Sequence, residues 1–178
     1  MRLTACLLAL SCIPALAHAQ PAAKCQYTPP PPEPWTSWAQ SGSAIAGGEA
    51  SSPPRLILGK PIVTTLRPST QVQFVAPPAE TGSKSNGGLF TLAVKFPARV
   101  GIALSAPAWV DIVTDRVAQP SVDHTHGPEC SGIRKIVWFD LQPGLHIVQV
   151  SNAPAREIRL MAADAIANRS LPLSGERN

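Results

Sequence analysis

The chain has 178 residues, a formal charge of +4 and 44% apolar side chains. That is enough for one domain with a buried core and too little for two. Its basic residues are scattered rather than striped, which argues against nucleic acid, and no later stretch approaches the roughly 18 apolar residues of a spanning helix.

The first segment reads as an export signal. Arg2 forms a short positive start, Leu3 to Leu16 an apolar run, and Ala17-His18-Ala19 a small-x-small cleavage site. Residues 1–19 would then be removed, taking the formal charge from +4 to +3 as Arg2 is lost. The mature chain would begin at Gln20, be soluble, and reside in the periplasm or outside the cell. It keeps two cysteines, Cys25 and Cys130, and three histidines, His124, His126 and His146.

Residues 20–54 read as an irregular Pro/Gly/Ser-rich segment, with "TPPPPEPW" extended and "SGSAIAGGEASSPP" flexible. Trp35 and Trp38 do not suit a linker and are expected to pin the segment to the domain surface.

From Arg55 short stretches of period two begin. "RLIL", "PIVTTL" and "QVQFVA" are the first candidates, the last with Val72 and Phe74 on one face. "GSKSNGG" reads as a loop, with a turn at Asn86-Gly87-Gly88. "LFTLAVKF" places Phe90, Leu92, Val94 and Phe96 on one side, and "RVGIALS" does the same with Val100, Ile102 and Leu104. In "AWVDIVTD", Val110 and Ile112 face away from Trp109, Asp111 and Val113; in "IRKIVWFDL", Ile133, Val137 and Phe139 share a face. "PGLHIVQVS" and "REIRLMAA" complete the series, and only "ADAIANRS" suits a helical turn. The pattern predicts an all-β domain over 55–163, a β-sandwich or jelly-roll-like fold of eight or nine short antiparallel strands, with a tail at 164–178.

The closing stretch "FDLQPGLHIVQVSNAPAREIRLMAA" resembles the last strands of a bacterial pre-peptidase C-terminal domain. Leu141, Pro143-Gly144, Ile147-Val148-Val150 and Ile158-Leu160 stand at the places of that pattern, and "VKFPARVGIALSAPAWVDIV" is similar to its middle strands. The resemblance spans roughly 56–162 and implies the sandwich fold. His146 replaces the usual tyrosine after the turn, and acidic calcium-loop residues are not evident. "GGLF", "ALSAPAWVDIV", "HTHGPECSGIRK" and "LQPGLHIVQVS" also resemble a group of small exported bacterial proteins that sometimes bear the name homogentisate 1,2-dioxygenase. True members of that enzyme family are longer cupins holding iron, and their metal motif does not match this chain, so the activity is not carried over.

The stretch "VDHTHGPECSGIRK", residues 122–135, concentrates the chemistry. Three readings of it stand open. The even cysteine count after export favours a Cys25–Cys130 disulfide tying the proline-rich segment to the domain. His124 and His126, two apart, would project from one face of a strand and could hold Zn²⁺ or Cu²⁺ with Asp123, a reduced Cys130 or His146. A histidine could also serve as base to Ser131 or Cys130 as nucleophile, although no nucleophile elbow, phosphate loop or carboxylate pair accompanies them. Arg134-Lys135 reads as a solvated edge or a partner of Asp140, with an anion site as the lesser alternative, and Trp109 and Trp138 as sheet-packing residues. The expectation is an exported accessory or binding module, without catalytic activity or cofactor, whose partner is an unidentified protein or envelope component. A metal-binding protein is the alternative and an enzyme the third reading.

Overall fold

The computed structural model describes residues 25, 28–40, 42–80, 82 and 85–165. The export signal, the mature start at Gln20 and most of the C-terminal tail lie outside that set. Two sheets pack face to face, with no α-helix among the described residues.

Twelve strands follow in chain order: β1 (Gly42–Ile45), β2 (Arg55–Leu56), β3 (Ile62–Thr65), β4 (Arg67–Pro68), β5 (Asn86–Val94), β6 (Ala98–Leu104), β7 (Trp109–Thr114), β8 (Val117–Gln119), β9 (Asp123–Thr125), β10 (Lys135–Leu141), β11 (Gly144–Ala153) and β12 (Glu157–Asp164). One sheet runs β1-β3-β12-β6-β10-β9. The other runs β2-β5-β11-β7-β8, with β4 also on β5.

The expected sandwich is therefore present, with more strands than the eight or nine predicted. The pairing is also mixed rather than wholly antiparallel. β1 lies parallel to β3, and β2 parallel to β5. The cause is the zigzag at the start of the chain. After β1 it crosses to the second sheet as β2 and returns as β3, so each parallel pair gets the crossover it needs.

Alternation builds the interior. Val100, Ile102 and Leu104 of β6, Val137 and Phe139 of β10, and Ile158 and Leu160 of β12 point inward from the first sheet. Phe90 and Leu92 of β5, Val110 and Ile112 of β7, and Val148 and Val150 of β11 meet them from the second. Phe90 and Phe139 are fully buried, each contributing about 1.5–3 kcal/mol of apolar transfer free energy. Phe96, expected in phase with this set, lies past the end of β5 and is 63% exposed.

The chain covers parts of both outer faces with its own irregular segments. On the first sheet, Trp35 and Trp38 pack with Ala103, Ile133, Ile136, Met161 and Ala163. Trp35 meets Trp138 edge-on at 5.7 Å between ring centroids. Arg159 stacks over Trp38 at 5.7 Å and donates to its carbonyl. The tryptophans thus pin the N-terminal segment as expected. Strand β1 lies inside the stretch read as irregular.

On the second sheet the cover is "QVQFVA" and its continuation. This stretch alternates but forms no strand. Gln149, fully buried on β11, takes the place of a neighbouring strand: its Oε1 accepts from the Val75 and Ala76 amides at 2.6 and 3.1 Å, and its Nε2 donates to the Ala76 carbonyl at 3.1 Å. Ser151 holds the next part by donating to the Glu80 carbonyl at 2.9 Å. The Asn86-Gly87-Gly88 turn signal is likewise overturned, since these residues open β5. A Cβ on Gly88 would sit 2.3 Å from the Ala46 Cβ, and one on Gly87 2.7 Å from the Val150 carbonyl oxygen. The glycines serve close packing, not chain reversal.

Candidate functional site

The histidine loop begins once the chain has passed from β8, at the edge of the second sheet, to β9, at the edge of the first, and runs on to the start of β10. β9 pairs antiparallel with β10, setting Val137 opposite His124 and Trp138 opposite Asp123. Opposed residues share a face. His124 therefore lies on the side of Val137, and Asp123 on the outer side with Trp138. Two-residue periodicity puts Lys135 on the His124 face. His124, His126, Arg134 and Lys135 line one cleft of about 340 Å³, closed on one side by Pro107 and Ala108.

Lys135 and His124 also border a smaller hollow of about 170 Å³, lined by Trp109, Asp111, Gln119 and Ser121 among others. The Trp109 indole N–H donates to Asp111 Oδ1 at 3.0 Å. Lys135 Nζ lies 4.9 Å over the Trp109 ring and donates to the Ala108 carbonyl at 3.4 Å. Burial pushes the Asp111 carboxyl above its usual range; the Trp109 N–H, the Ala79 backbone and Lys135 oppose that shift. Burial also lowers Lys135, with Asp111 opposing. The two charges, each partly withdrawn from water, support one another in place.

The rest of the loop is held from behind. The sulfur atoms of Cys25 and Cys130 stand 2.02 Å apart, with Cα atoms 5.7 Å apart, a disulfide's separation. Ser131 Oγ donates to the Pro128 carbonyl at 2.6 Å and accepts from the Ile133 amide at 3.1 Å. Ile133 is buried in the tryptophan cluster.

The residues singled out in the sequence are thus divided. His124 and His126 meet in one cleft. Asp123 does not join them: it lies on the outer side and accepts the His124 amide at 2.7 Å. Cys130 is paired with Cys25. His146 is buried within β11, its Nδ1 bonded to Thr114 Oγ1 at 2.7 Å and its Nε2 to the Gln142 carbonyl at 3.0 Å. No group of three His, Cys, Asp or Glu placed to hold a metal occurs among the described residues. Asp140 pairs with Arg99 through two bonds of 2.8 and 2.9 Å, rather than with Arg134 or Lys135. The convergence of Lys135, Trp109 and Asp111 was not anticipated. The alternation of "AWVDIV" hinted only that Trp109 and Asp111 share a face.

No protein-family model matches the chain, and no curated protein is significantly similar to it. Among the described residues no helix is long and apolar enough to cross a membrane.

Proposed function

We propose that this chain is an exported, non-catalytic binding module of the periplasm or cell exterior, and that the cleft between the β9–β10 edge and Pro107-Ala108 is its ligand seat. The observation carrying this reading is the convergence of four nitrogen-bearing side chains, His124, His126, Arg134 and Lys135, on one open concavity whose loop is fixed from behind. Rigid support with an exposed polar rim is the arrangement binding sites require. The disulfide separation suits an oxidising compartment. The non-catalytic part is supported by Ser131, the hydroxyl that the sequence offered as a nucleophile, whose proton is committed to the Pro128 carbonyl.

The test is retention of the mature protein on isolated bacterial envelopes and purified envelope polymers. It compares wild type with an Arg134→Gln, Lys135→Met double variant, alongside esterase, peptidase and glycosidase assays. The reading expects wild type to be retained, the variant to be retained several-fold less, and no turnover. Equal retention of the two proteins, or turnover that the variant abolishes, refutes it.

A further inference from the structure

We infer that the group held in this cleft is an oxyanion, a carboxylate or a phosphate, gripped by Lys135 and Arg134 with the imidazoles of His124 and His126 at its rim. The inference rests on the cleft being a ligand seat and adds the chemistry of what sits there. Its first support is the sign of the lining. The cleft walls carry one ammonium and one guanidinium beside two imidazoles. No carboxylate lines the cleft itself: Asp123 lies on the outer side of the sheet, and Asp111 lines the neighbouring hollow, from which its charge supports Lys135. Fixed positive charge at this range attracts an anion and repels a divalent cation. The same residues that looked like half of a metal site are thereby in the wrong company for one.

The second support is preorganisation. The Lys135 ammonium is held over the Trp109 ring and by the Ala108 carbonyl, and the Trp109 indole is itself held by Asp111. The ammonium has three donors and commits one to Ala108. Arg134 brings a planar fork suited to two oxygens of one carboxylate or phosphate, and its guanidinium has no hydrogen-bond partner among the described residues. Its backbone is fixed by the Arg134 amide donating to the Leu104 carbonyl at 2.8 Å and by the 3.3 Å contact of His126 Nδ1 with the Arg134 carbonyl. An incoming oxyanion therefore meets an ammonium whose position is already set and a guanidinium carried on a fixed backbone, which lowers the ordering cost of the lysine contact.

The experiment uses the oxidised mature protein, labelled with ¹⁵N, titrated separately with sodium phosphate, sodium citrate and zinc chloride at constant ionic strength. Phosphate or citrate should shift the amides of residues 124–126 and 134–135 saturably at millimolar concentration, and the better of the two identifies the source of the oxyanion. Arg134→Gln and Lys135→Met should each weaken that binding by about tenfold, while Lys135→Arg retains most of it. Shifts that sodium chloride reproduces equally would mean screening alone and overturn the inference. Saturable zinc binding with no response to either oxyanion would overturn it too, while leaving the cleft a ligand seat. Silence toward all three overturns the oxyanion assignment, and envelope retention then decides the seat independently.

Discussion

Gln149 offers the sharpest test of the architecture. Its side chain, fully buried, makes three hydrogen bonds to Val75 and Ala76, holding residues 72–80 across the second sheet. Gln149→Leu keeps the volume and removes the partners. Two amide donors and one carbonyl are then left unmet beneath the strap. An unsatisfied buried polar group costs about 1–3 kcal/mol. Val75 is only half-buried, so water relieves one of the three, and the buried leucine recovers part of the rest. The expected loss is about 3 kcal/mol, read from urea unfolding. Amide exchange localises it, because Val75 and Ala76 should lose protection while β11 itself keeps it. Gln149→Glu adds a second arm. A carboxylate can accept from both amides but not donate to the Ala76 carbonyl, so its deficit should shrink as pH falls and the carboxyl becomes protonated. A Gln149→Leu protein within about 0.5 kcal/mol of wild type, with unchanged exchange at Val75 and Ala76, would show that the strap is held by something else.

Three further outcomes follow from the same structure. Reducing the Cys25–Cys130 cross-link opens a loop of sequence separation 105; the chain-entropy relation gives a loss of about 4.8 kcal/mol, checked by urea unfolding with and without a phosphine reductant. Trp38→Ala empties most of a site that is 4% exposed and should cost about 3–5 kcal/mol, raising proteolysis between residues 28 and 40 before the sandwich itself opens. For Asp111, burial raises the carboxyl above its ordinary 3.8, so the folded state holds this proton more tightly than the unfolded state. Its contribution is fully present at low pH and declines as pH rises from the ordinary aspartate range through the raised value. Asp111→Asn should abolish that decline, so its stability relative to wild type increases from acid toward neutral pH in paired melting curves.

The parts of the fold legible in sequence are those where burial is one-sided. β5, β6, β7, β10, β11 and β12 each carry apolar residues at every second position, because one face meets the facing sheet. The same rule misread residues 71–76: Val72 and Phe74 alternate, yet the stretch is a strap bonded to the Gln149 side chain and the Gly48 carbonyl rather than to a strand. Gly87 and Gly88 misled for a related reason, since glycine signals reversal and close approach alike, and only the presence of Ala46 and Val150 chooses between them. The short edge strands β8 and β9 carry too few residues to show a period. The site was half legible. The His-x-His spacing on an extended segment did place both imidazoles in one cleft. Lys135 reaches Trp109 from the opposite sheet, a contact set by strand order and register that no local pattern encodes.

Placement of the cleft follows from how the two layers are covered. Residues 28–40 lie over the outer face of the first sheet through Trp35 and Trp38, and residues 72–80 over that of the second through Gln149 and Ser151. Between them the β8–β9 crossing must step from one layer to the other, and its strands are too short and too exposed to be held by apolar burial. β9 is held by its pairing with β10, and the β9–β10 connection that follows by the disulfide pair, the Ser131 turn and Ile133 in the tryptophan cluster. A seam ordered from behind presents its polar side chains outward without their having to form the core. Selection can therefore change the residues at 124, 126 and 134 with little cost to stability, because each is exposed. Lys135 is different: its contacts with Trp109 and the Ala108 carbonyl, supported by the charge of Asp111, tie the ligand seat to the sandwich. Of the four cleft residues it alone should lose both binding and stability when truncated, and Arg134 binding only.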